Sequence, residues 1–364
     1  MKAQVITLIS VANYGTQLQA LATQEKLQQY FDEVEFIDYR RRDTFGIGLL
    51  RTFSKGNPIR GIAALPTIMF WHFRFGTFRR ENLHMTHKKY VDQSDFTGFD
   101  ADADYYVVGS DQVWNSGWNK RVIPALYLNF IPNSKPKMSF AASFGRDRLT
   151  DQEAAEVKEY LRPFSFLSVR EPSGVRIIED QLKIGHATQL LDPVLSLPAS
   201  YWRKRAHTSS VRGKYILIYT LNKNRQLDDY AQKLAEKTGF KLIRFCTRFD
   251  QIFRNGQSKV IPNILSFVYL IDHAEYVITD SFHATAFSML MNTPPICIYP
   301  GQYSNRISEF LALVKASNRH LLSYQDFDVV NRQVDFDTVN QILEQERAKT
   351  DQYIQEAVKA VDGQ

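Results

Sequence analysis

The chain has 364 residues, 44% of them apolar, and a formal net charge of +6 at pH 7. This length and composition favour a globular protein with two domains, each able to bury a core. No apolar run approaches the roughly 18 residues of a membrane-spanning helix, and residues 1–9 lack the apolar core of a signal peptide. Two cysteines, Cys246 and Cys297, cannot form a disulfide framework and are predicted to be core residues. We therefore expect a soluble cytoplasmic protein.

The N-terminal half alternates predicted strands with predicted helices. Its first strand leads into a turn at Asn13-Tyr14-Gly15-Thr16 and an amphipathic helix. This opening is typical of a parallel α/β sheet, and Gly15 would let a ligand approach the helix N-terminus closely. The predicted strands are 4–9, 34–38, 105–108, 138–142 and 166–171, and later helices are 151–161 and 173–182.

The positive charge is concentrated between Arg40 and Lys89. This segment holds eleven Lys or Arg residues against two acids, and aromatic residues such as Phe70, Trp71 and Phe73 lie among them. Such a surface suits anionic lipid headgroups, an anionic glycan or nucleic acid. A solvated insertion whose aromatic residues pack on the domain explains the pattern equally well. No zinc spacing, RNA-binding signature or helix-turn-helix pattern supports nucleic acid, so we expect none as a partner.

The C-terminal half repeats the alternation. An apolar run at 276–279 with no helical period predicts a buried strand, and Asp280 and Ser281 after it are residues that cap helices. His283 lies where this strand meets the next helix, which is where β-α-β units bind ligands. Further predicted strands are 215–219, 241–245 and 296–299, and the helices are 227–238, 264–274, 283–291, 305–314 and a tail from 339.

This pattern predicts an α/β protein of two doubly wound, Rossmann-like domains that face a cleft, in the GT-B type of transferase fold. The predicted domains are 1–207, with a basic aromatic insertion at about 40–90, and 208–335. A helical tail, 336–364, is expected to pack back toward the N-terminal domain. The ligand would then lie between the two halves.

Polar side chains collect at the ends of the predicted strands. His283 at a helix start suits general acid or base chemistry near neutral pH, although a histidine bonded to a nearby carbonyl is the structural alternative. Asp111 suits proton abstraction from a hydroxyl, or it caps the next helix. Arg170 suits a carboxylate or phosphate, or it pairs with Glu171 in a salt bridge.

Other residues belong to the same pattern. Arg306, beside Asn305 at a predicted helix start, combines charge with free backbone N–H groups and suits an anion, although a surface arginine is the commoner case. The histidines are scattered, and His84 and His87 have no supporting ligands nearby. We predict neither a metal site nor a cofactor.

Seven short segments together resemble the polysaccharide pyruvyl transferase family. They keep the order of the family's motifs over roughly residues 1 to 315. They are Asn13-Tyr14-Gly15 with Leu18-Gln19-Ala20, Val108-Gly109-Ser110-Asp111-Gln112-Val113-Trp114-Asn115, Ala142-Ser143-Phe144-Gly145, Ser168-Val169-Arg170-Glu171, Leu191-Asp192-Pro193-Val194, Thr279-Asp280-Ser281-Phe282-His283-Ala284 and Asn305-Arg306-Ile307.

The resemblance implies a GT-B fold and transfer of the enolpyruvyl unit of phosphoenolpyruvate to two hydroxyls of a sugar, giving a cyclic pyruvate ketal. The acceptor would be a cell-surface polysaccharide or its lipid-linked precursor, with the segment 40–90 in peripheral contact with the inner face of the plasma membrane. The implied roles are general acid/base for His283, hydroxyl base or orienter for Asp111, and donor anion contacts for Arg170 and Arg306. Lining residues would be Asn13, Gly15, Ser110, Ser143, Ser281 and Asn305.

One position departs from the family pattern. Several members carry an arginine two residues before the histidine, where this chain has Ser281. A hydroxyl does not replace the bidentate grip of a guanidinium, so another cation does this work, or the donor or the reaction differs in this branch. The alternatives are a glycosyltransferase of the same fold that uses a nucleotide sugar, and a glycan-binding protein without activity.

Overall fold

The computed structural model describes residues 1–299 and 305–362, with the backbone alone at residues 305 and 362. The chain divides into two compact units. The first comprises Met1–Ser196 and the segment from Glu346 onward, and the second comprises Leu197–Gln345. The division falls earlier than residue 207 because the helix at Ala199–Arg205 packs within the second unit, where Arg203 donates to Asp272 at 2.8 Å. The last helix begins in the second unit and ends in the first.

The first unit is built on parallel strands. They are β1 (Lys2–Ile6), β2 (Glu33–Tyr39), β3 (Met85–Tyr90), β4 (Tyr105–Val108), β5 (Lys137–Ser139), β6 (Ser168–Val169) and β7 (Thr188–Gln189). Within the described residues, the first five form one sheet in the order β3-β2-β1-β4-β5. β6 and β7 pair with each other, and single bridges such as Ala142 to Val169 continue the sheet beyond β5.

Helices connect these strands, as a parallel sheet requires. The helix α1 is entered through Asn13, whose side chain caps it, and its residues are almost all buried. The α-helices of the first unit are α1 (Tyr14–Leu27), α2 (Gly46–Ser54), α3 (Pro58–Asn82), α4 (Ser116–Asn119), α5 (Asp151–Leu161), α6 (Pro172–Arg176) and α7 (Pro193–Ser196). A π-helical turn at Ile177–Leu182 extends α6.

The second unit repeats the arrangement. Its strands are β8 (Tyr215–Tyr219), β9 (Lys241–Cys246), β10 (Gln257–Val260), β11 (Tyr276–Thr279) and β12 (Pro295–Cys297), and its helices are α8 (Ala199–Arg205), α9 (Arg225–Thr238), α10 (Ser266–Asp272), α11 (Phe282–Leu290), α12 (Asn305–Leu313) and α13 (Phe336–Asp362). Over the described ranges these strands form one parallel sheet in the order β10-β9-β8-β11-β12. Every residue of β8 is buried, as expected for a central strand covered on both faces.

Each unit therefore has the same topology. In each sheet the first strand lies between the second and the fourth, so the strand order reverses between the first and fourth strands. Ligands of doubly wound folds bind at this switch point, at the carboxyl ends of the strands. We therefore expect ligands to contact the residues that follow β1 and β4 in the first unit and β8 and β11 in the second.

The predicted elements are largely present, with two main differences. The basic segment is not an insertion on the fold, because its end forms β3, an edge strand of the sheet, and most of the rest forms α2 and α3. The strand expected at 138–142 stops at Ser139, since Ala141 adopts a left-handed backbone (φ 50°) before Ala142 bridges to its neighbours. Both cysteines are buried and unbonded to each other, as predicted.

The last helix anchors its end in the first unit. Tyr353 is buried and donates from its hydroxyl to the Ser139 carbonyl at 2.8 Å, and its ring packs edge-on against Phe166. None of the helices in the described part of the chain combines the length and the apolar character needed to cross a membrane.

Candidate active site

The switch point of the first unit is occupied by Asp111, which follows β4 after Gly109 and Ser110. Its Oδ2 accepts from Thr16 Oγ1 at 2.6 Å and its Oδ1 from the backbone N–H of Gln112 at 2.8 Å. Its backbone is left-handed (φ 71°), a conformation that aspartate tolerates better than most residues, and its side chain is largely buried. The hydrogen bond to Thr16 ties the loop after β4 to the first turn of α1.

Asn13 and Gly15 lie at the other side of this switch point. Asn13 is the N-cap of α1, and its side-chain oxygen accepts from the N–H of Thr16 at 3.2 Å. Gly15 lies in the first helical turn, next to Thr16. The positive end of the α1 dipole therefore faces the same edge of the sheet as Asp111.

Ser110 and Ser143 are fully buried, and their hydroxyls are engaged within the unit. Ser110 donates to Asp192 Oδ2 at 3.4 Å, and Ser143 donates to Glu171 Oε1 at 3.0 Å. The Ser143 N–H also donates to the Asp111 carbonyl at 3.0 Å. Both serines fix loops at the carboxyl edge of the sheet.

Arg170 lies beneath these loops in a buried ion network. Its Nε donates to Glu171 Oε1 at 2.9 Å and its Nη1 to Asp192 Oδ2 at 2.6 Å, and its side chain is 1% exposed. Burial lowers the pKa of this guanidinium, but the carboxylates of Glu171, Asp192 and Asp111 together raise it above its usual value. The geometry favours a structural ion pair over a contact with a donor.

At the switch point of the second unit, Asp280 holds the neighbouring loop. Its Oδ1 accepts from the N–H of Leu221 at 2.7 Å, and its Oδ2 accepts from the N–H and the side-chain amide of Asn222 at 3.0 and 2.9 Å. Burial raises the pKa of this carboxyl, and the three hydrogen bonds oppose that shift. Asp280 therefore binds the loop after β8 and does not cap α11.

Ser281 and His283 open α11. Ser281 is the N-cap, and its hydroxyl accepts from the N–H of Ala284 at 3.4 Å. His283 is the second residue of the helix, and the residue is 7% exposed. The histidine thus lies in the first helical turn at the carboxyl end of β11, as the sequence predicts.

Arg306 lies in the first turn of α12. One helical turn later, Phe310 packs against Phe282 of α11 with 5.8 Å between ring centroids. Residues four apart share a helix face, so Arg306 lies on the face of α12 that is turned toward α11. The side chain of Asn305 lies outside the described residues.

Sequence reasoning did not single out Thr16 or Asn222, the partners of Asp111 and Asp280. Each lies in a loop or first helical turn that follows a predicted strand, and this position was the one feature of the sequence that could have identified them. Among residues 1–299 and 305–362, no group of three or more His, Cys, Asp or Glu side chains is arranged to hold a metal ion.

Comparison with known proteins identifies the family. The family model for polysaccharide pyruvyl transferase matches residues 13–302, which is most of the chain. The chain belongs to the polysaccharide pyruvyl transferase family. The resemblance drawn from the seven segments is thereby confirmed, and membership makes the protein a transferase of polysaccharide biosynthesis. No curated protein matches the sequence.

Solved structures resemble this family member in fold at low identity. The UDP-N-acetylglucosamine 2-epimerase of Rickettsia bellii has a TM-score of 0.55 at 12% identity, with 100% of this chain and 98% of that chain covered. The corresponding epimerase of Neisseria meningitidis has a TM-score of 0.50 at 10% identity, with 100% and 99% covered. A spinosyn forosaminyltransferase has a TM-score of 0.50 at 12% identity, again with 100% and 99% covered. The prediction of a GT-B fold with two Rossmann-like domains is confirmed.

Proposed function

We propose that this family member transfers the enolpyruvyl group of phosphoenolpyruvate to two hydroxyls of a glycan and forms a cyclic pyruvate ketal. The observation that carries the proposal is the position of His283, in the first turn of α11 at the switch point of the second unit. The acceptor would be a cell-surface polysaccharide or its lipid-linked precursor, acted on in the cytoplasm.

The reaction needs one proton donor and two hydroxyl nucleophiles. In our proposal His283 protonates the methylene carbon of phosphoenolpyruvate while the first sugar hydroxyl attacks the neighbouring carbon. The second hydroxyl then displaces phosphate from that carbon and closes the ketal. One hydroxyl proton leaves with the inorganic phosphate and the other restores the histidine, so the atoms balance.

The donor carries a carboxylate and a phosphate and therefore needs cationic or N–H groups. Ser281 uses its hydroxyl to cap α11, so this side chain does not supply the charge that an arginine would. We assign that work to Arg306, because it lies on the face of α12 turned toward the first turn of α11. The N-terminus of α11 adds a partial positive charge.

In the first unit we propose that Asp111 orients or deprotonates an acceptor hydroxyl. Each of its carboxylate oxygens accepts one described hydrogen bond, and a carboxylate oxygen has room for a second. Asn13 and Gly15 would line the acceptor side. Arg170 is paired with two carboxylates, Glu171 and Asp192, and in our proposal it holds them in position and does not contact the donor.

Titration with donors tests the proposal. We expect phosphoenolpyruvate to raise the melting temperature of the protein, because a ligand that binds only the folded state stabilises it. With a suitable glycan, phosphate release should follow. A melting temperature raised by uridine or guanosine diphosphate, and not by phosphoenolpyruvate, would favour a nucleotide-sugar glycosyltransferase instead.

We also propose that α3 brings the enzyme to an anionic membrane surface. Ile59, Ile62, Met69 and Phe73 have relative exposures of 75%, 68%, 69% and 64%, and their spacing places them on one helix face. From residue 44 to residue 80 the chain has six Lys or Arg residues and no acid. An exposed apolar face within a cationic segment is typical of helices that lie on anionic bilayers.

Sedimentation with lipid vesicles tests this contact. Phe73→Glu should lower binding to phosphatidylglycerol vesicles by about tenfold or more, because burying a phenylalanine contributes roughly 1.5–3 kcal/mol. Phe253→Glu is the matched control, since Phe253 is 87% exposed but lies in the second unit. Equal loss in both variants, or equal binding of the wild type to neutral phosphatidylcholine vesicles, would contradict the proposal.

A further inference from the structure

The first unit contains an open cavity of about 350 Å³ between α2, α3 and the loop after β1. Its walls are mainly apolar and aromatic and include Phe45, Leu49, Ile68, Trp71 and Phe75. This volume falls in the range of roughly 300–1,000 Å³ that is usual for small-molecule sites. A cavity with such walls favours an apolar group over water.

One cation, the partly buried Arg79, lies at the wall of this cavity. Arg79 lines it and donates from Nη1 to the Ile9 carbonyl at 3.1 Å. Within the described residues no carboxylate lies within 4.0 Å of its guanidinium. Asp38, an acid whose charge acts on Arg79, is held by Arg40 in two hydrogen bonds of 2.7 Å. Burial, together with repulsion from Arg40, lowers the pKa of Arg79 to about 10, so it stays charged at neutral pH. An anion beside Arg79 would offset both the cost of burying its charge and the repulsion from Arg40.

The cavity connects two surfaces that already have proposed roles. Ser10 and Ala12 line it, and they lie three residues and one residue before Asn13 at the switch point of the first unit. Met69 also lines it and belongs to the exposed apolar face of α3. An apolar chain in the cavity would therefore reach from the lipid-facing side of α3 toward the edge of the sheet where Asp111 lies.

We propose that this cavity binds the apolar chain of an anionic amphiphile, with the phosphate of its headgroup against Arg79. A second copy of this chain is a poor occupant, because two segments with six cations and no acid would repel each other. The proposal goes beyond donor chemistry and rests on the proposed function only where it names the lipid-linked acceptor as the natural amphiphile. Binding itself is independent of transfer.

Quenching of tryptophan fluorescence tests the site directly. Trp71 lines the cavity, and bromine quenches an indole that it contacts. We expect 11-bromoundecyl phosphate, below its micellar concentration, to quench the wild type saturably and to have little effect on Trp71→Phe. The uncharged 11-bromoundecanol should bind about tenfold more weakly, because a charge-assisted hydrogen bond contributes roughly 1.5–3 kcal/mol.

Two pairs of variants separate the cavity from the surface around it. Arg79→Gln should remove the preference for the phosphate probe, whereas Arg80→Gln, the same change at the exposed neighbouring residue, should keep it. Ala12→Leu should weaken the binding of both probes, because the larger side chain fills part of the cavity. Ala63→Leu on the exposed face of α3 should leave their binding unchanged. Equal effects within either pair would overturn the proposal.

Measurements on the same variants distinguish the proposed cavity site from the proposed donor site. Phosphoenolpyruvate should raise the melting temperature of Arg79→Gln as much as that of the wild type, because we assign the donor to the second unit. Quenching by the phosphate probe without any stabilisation by phosphoenolpyruvate would refute the donor assignment and leave the cavity site standing. Stabilisation by phosphoenolpyruvate without saturable quenching would refute the cavity site alone.

Discussion

Replacing His283 with alanine is expected to lower the rate of phosphate release from phosphoenolpyruvate by about 10²–10⁴-fold, the usual contribution of a general acid or base. The side chain lies in the first turn of α11, and Ser281 caps that helix without its help. The melting temperature should therefore change little. Steady-state assays of phosphate release, with melting measured on the same samples, check both halves of the expectation.

A second histidine provides the control. His273 is exposed at the end of α10 and stacks on Tyr269, away from the carboxyl ends of the strands. His273→Ala should keep the wild-type rate. A His283→Ala protein that turns over normally, or one that loses activity only because it unfolds, would contradict the assignment.

Replacing Arg170 with methionine is expected to lower the free energy of unfolding by about 3–5 kcal/mol, the usual cost of breaking a buried ion pair. Glu171 and Asp192 would then be left buried, at 4% and 0% side-chain exposure, without this counter-charge. Urea denaturation measures the loss. In this variant, phosphoenolpyruvate should still raise the melting temperature if the protein folds.

The matched control is Arg162→Met at the surface. Arg162 pairs with Glu159 at 3.0 Å, and both side chains are about 60% exposed, so this pair should contribute less than about 1 kcal/mol. Equal stability losses in the two variants would remove the structural account of Arg170. Together with a loss of phosphoenolpyruvate binding, that result would return Arg170 to the donor contacts that the family resemblance implies.

The central strands were predictable from the sequence, whereas two of the edge strands, β3 and β10, were not. The segments 105–108, 215–219 and 276–279 are continuous apolar runs because both faces of a central parallel strand are buried. β3 and β10 lie at sheet edges, where Met85–Tyr90 and Gln257–Val260 keep many polar residues. Hydrophobic pattern carries no signal for such strands.

The basic segment shows a second limit. The helix α3 includes Pro66 and two glycines, which weaken a helical pattern in the sequence. One of its faces packs into the unit, where the ring centroids of Phe75 and Tyr14 are 5.3 Å apart, while the other face stays exposed. Composition could predict the charge of this segment, but only the structure distinguishes its packed aromatic residues from its exposed ones.

The candidate site residues could be predicted by a simple rule: ligand-binding and catalytic side chains lie at the carboxyl ends of parallel strands. The rule placed Asp111 and His283 at the two switch points. It could not show which polar groups are already satisfied, because their partners are distant in sequence. Asp192, which pairs with Arg170, lies 22 residues away, and Thr16, which binds Asp111, lies 95 residues away.

The carboxylate of Asp280 also has an evolutionary consequence. It joins two loops whose bonded residues are 58 and 59 positions apart, so we expect the loops to change together in evolution. Leu221 contributes only its backbone N–H, and the identity of its side chain is therefore free to drift. Asn222 contributes its side-chain amide as well. Across the family, an exchange at position 280 should be accompanied by an exchange at position 222, and position 221 should vary independently of both.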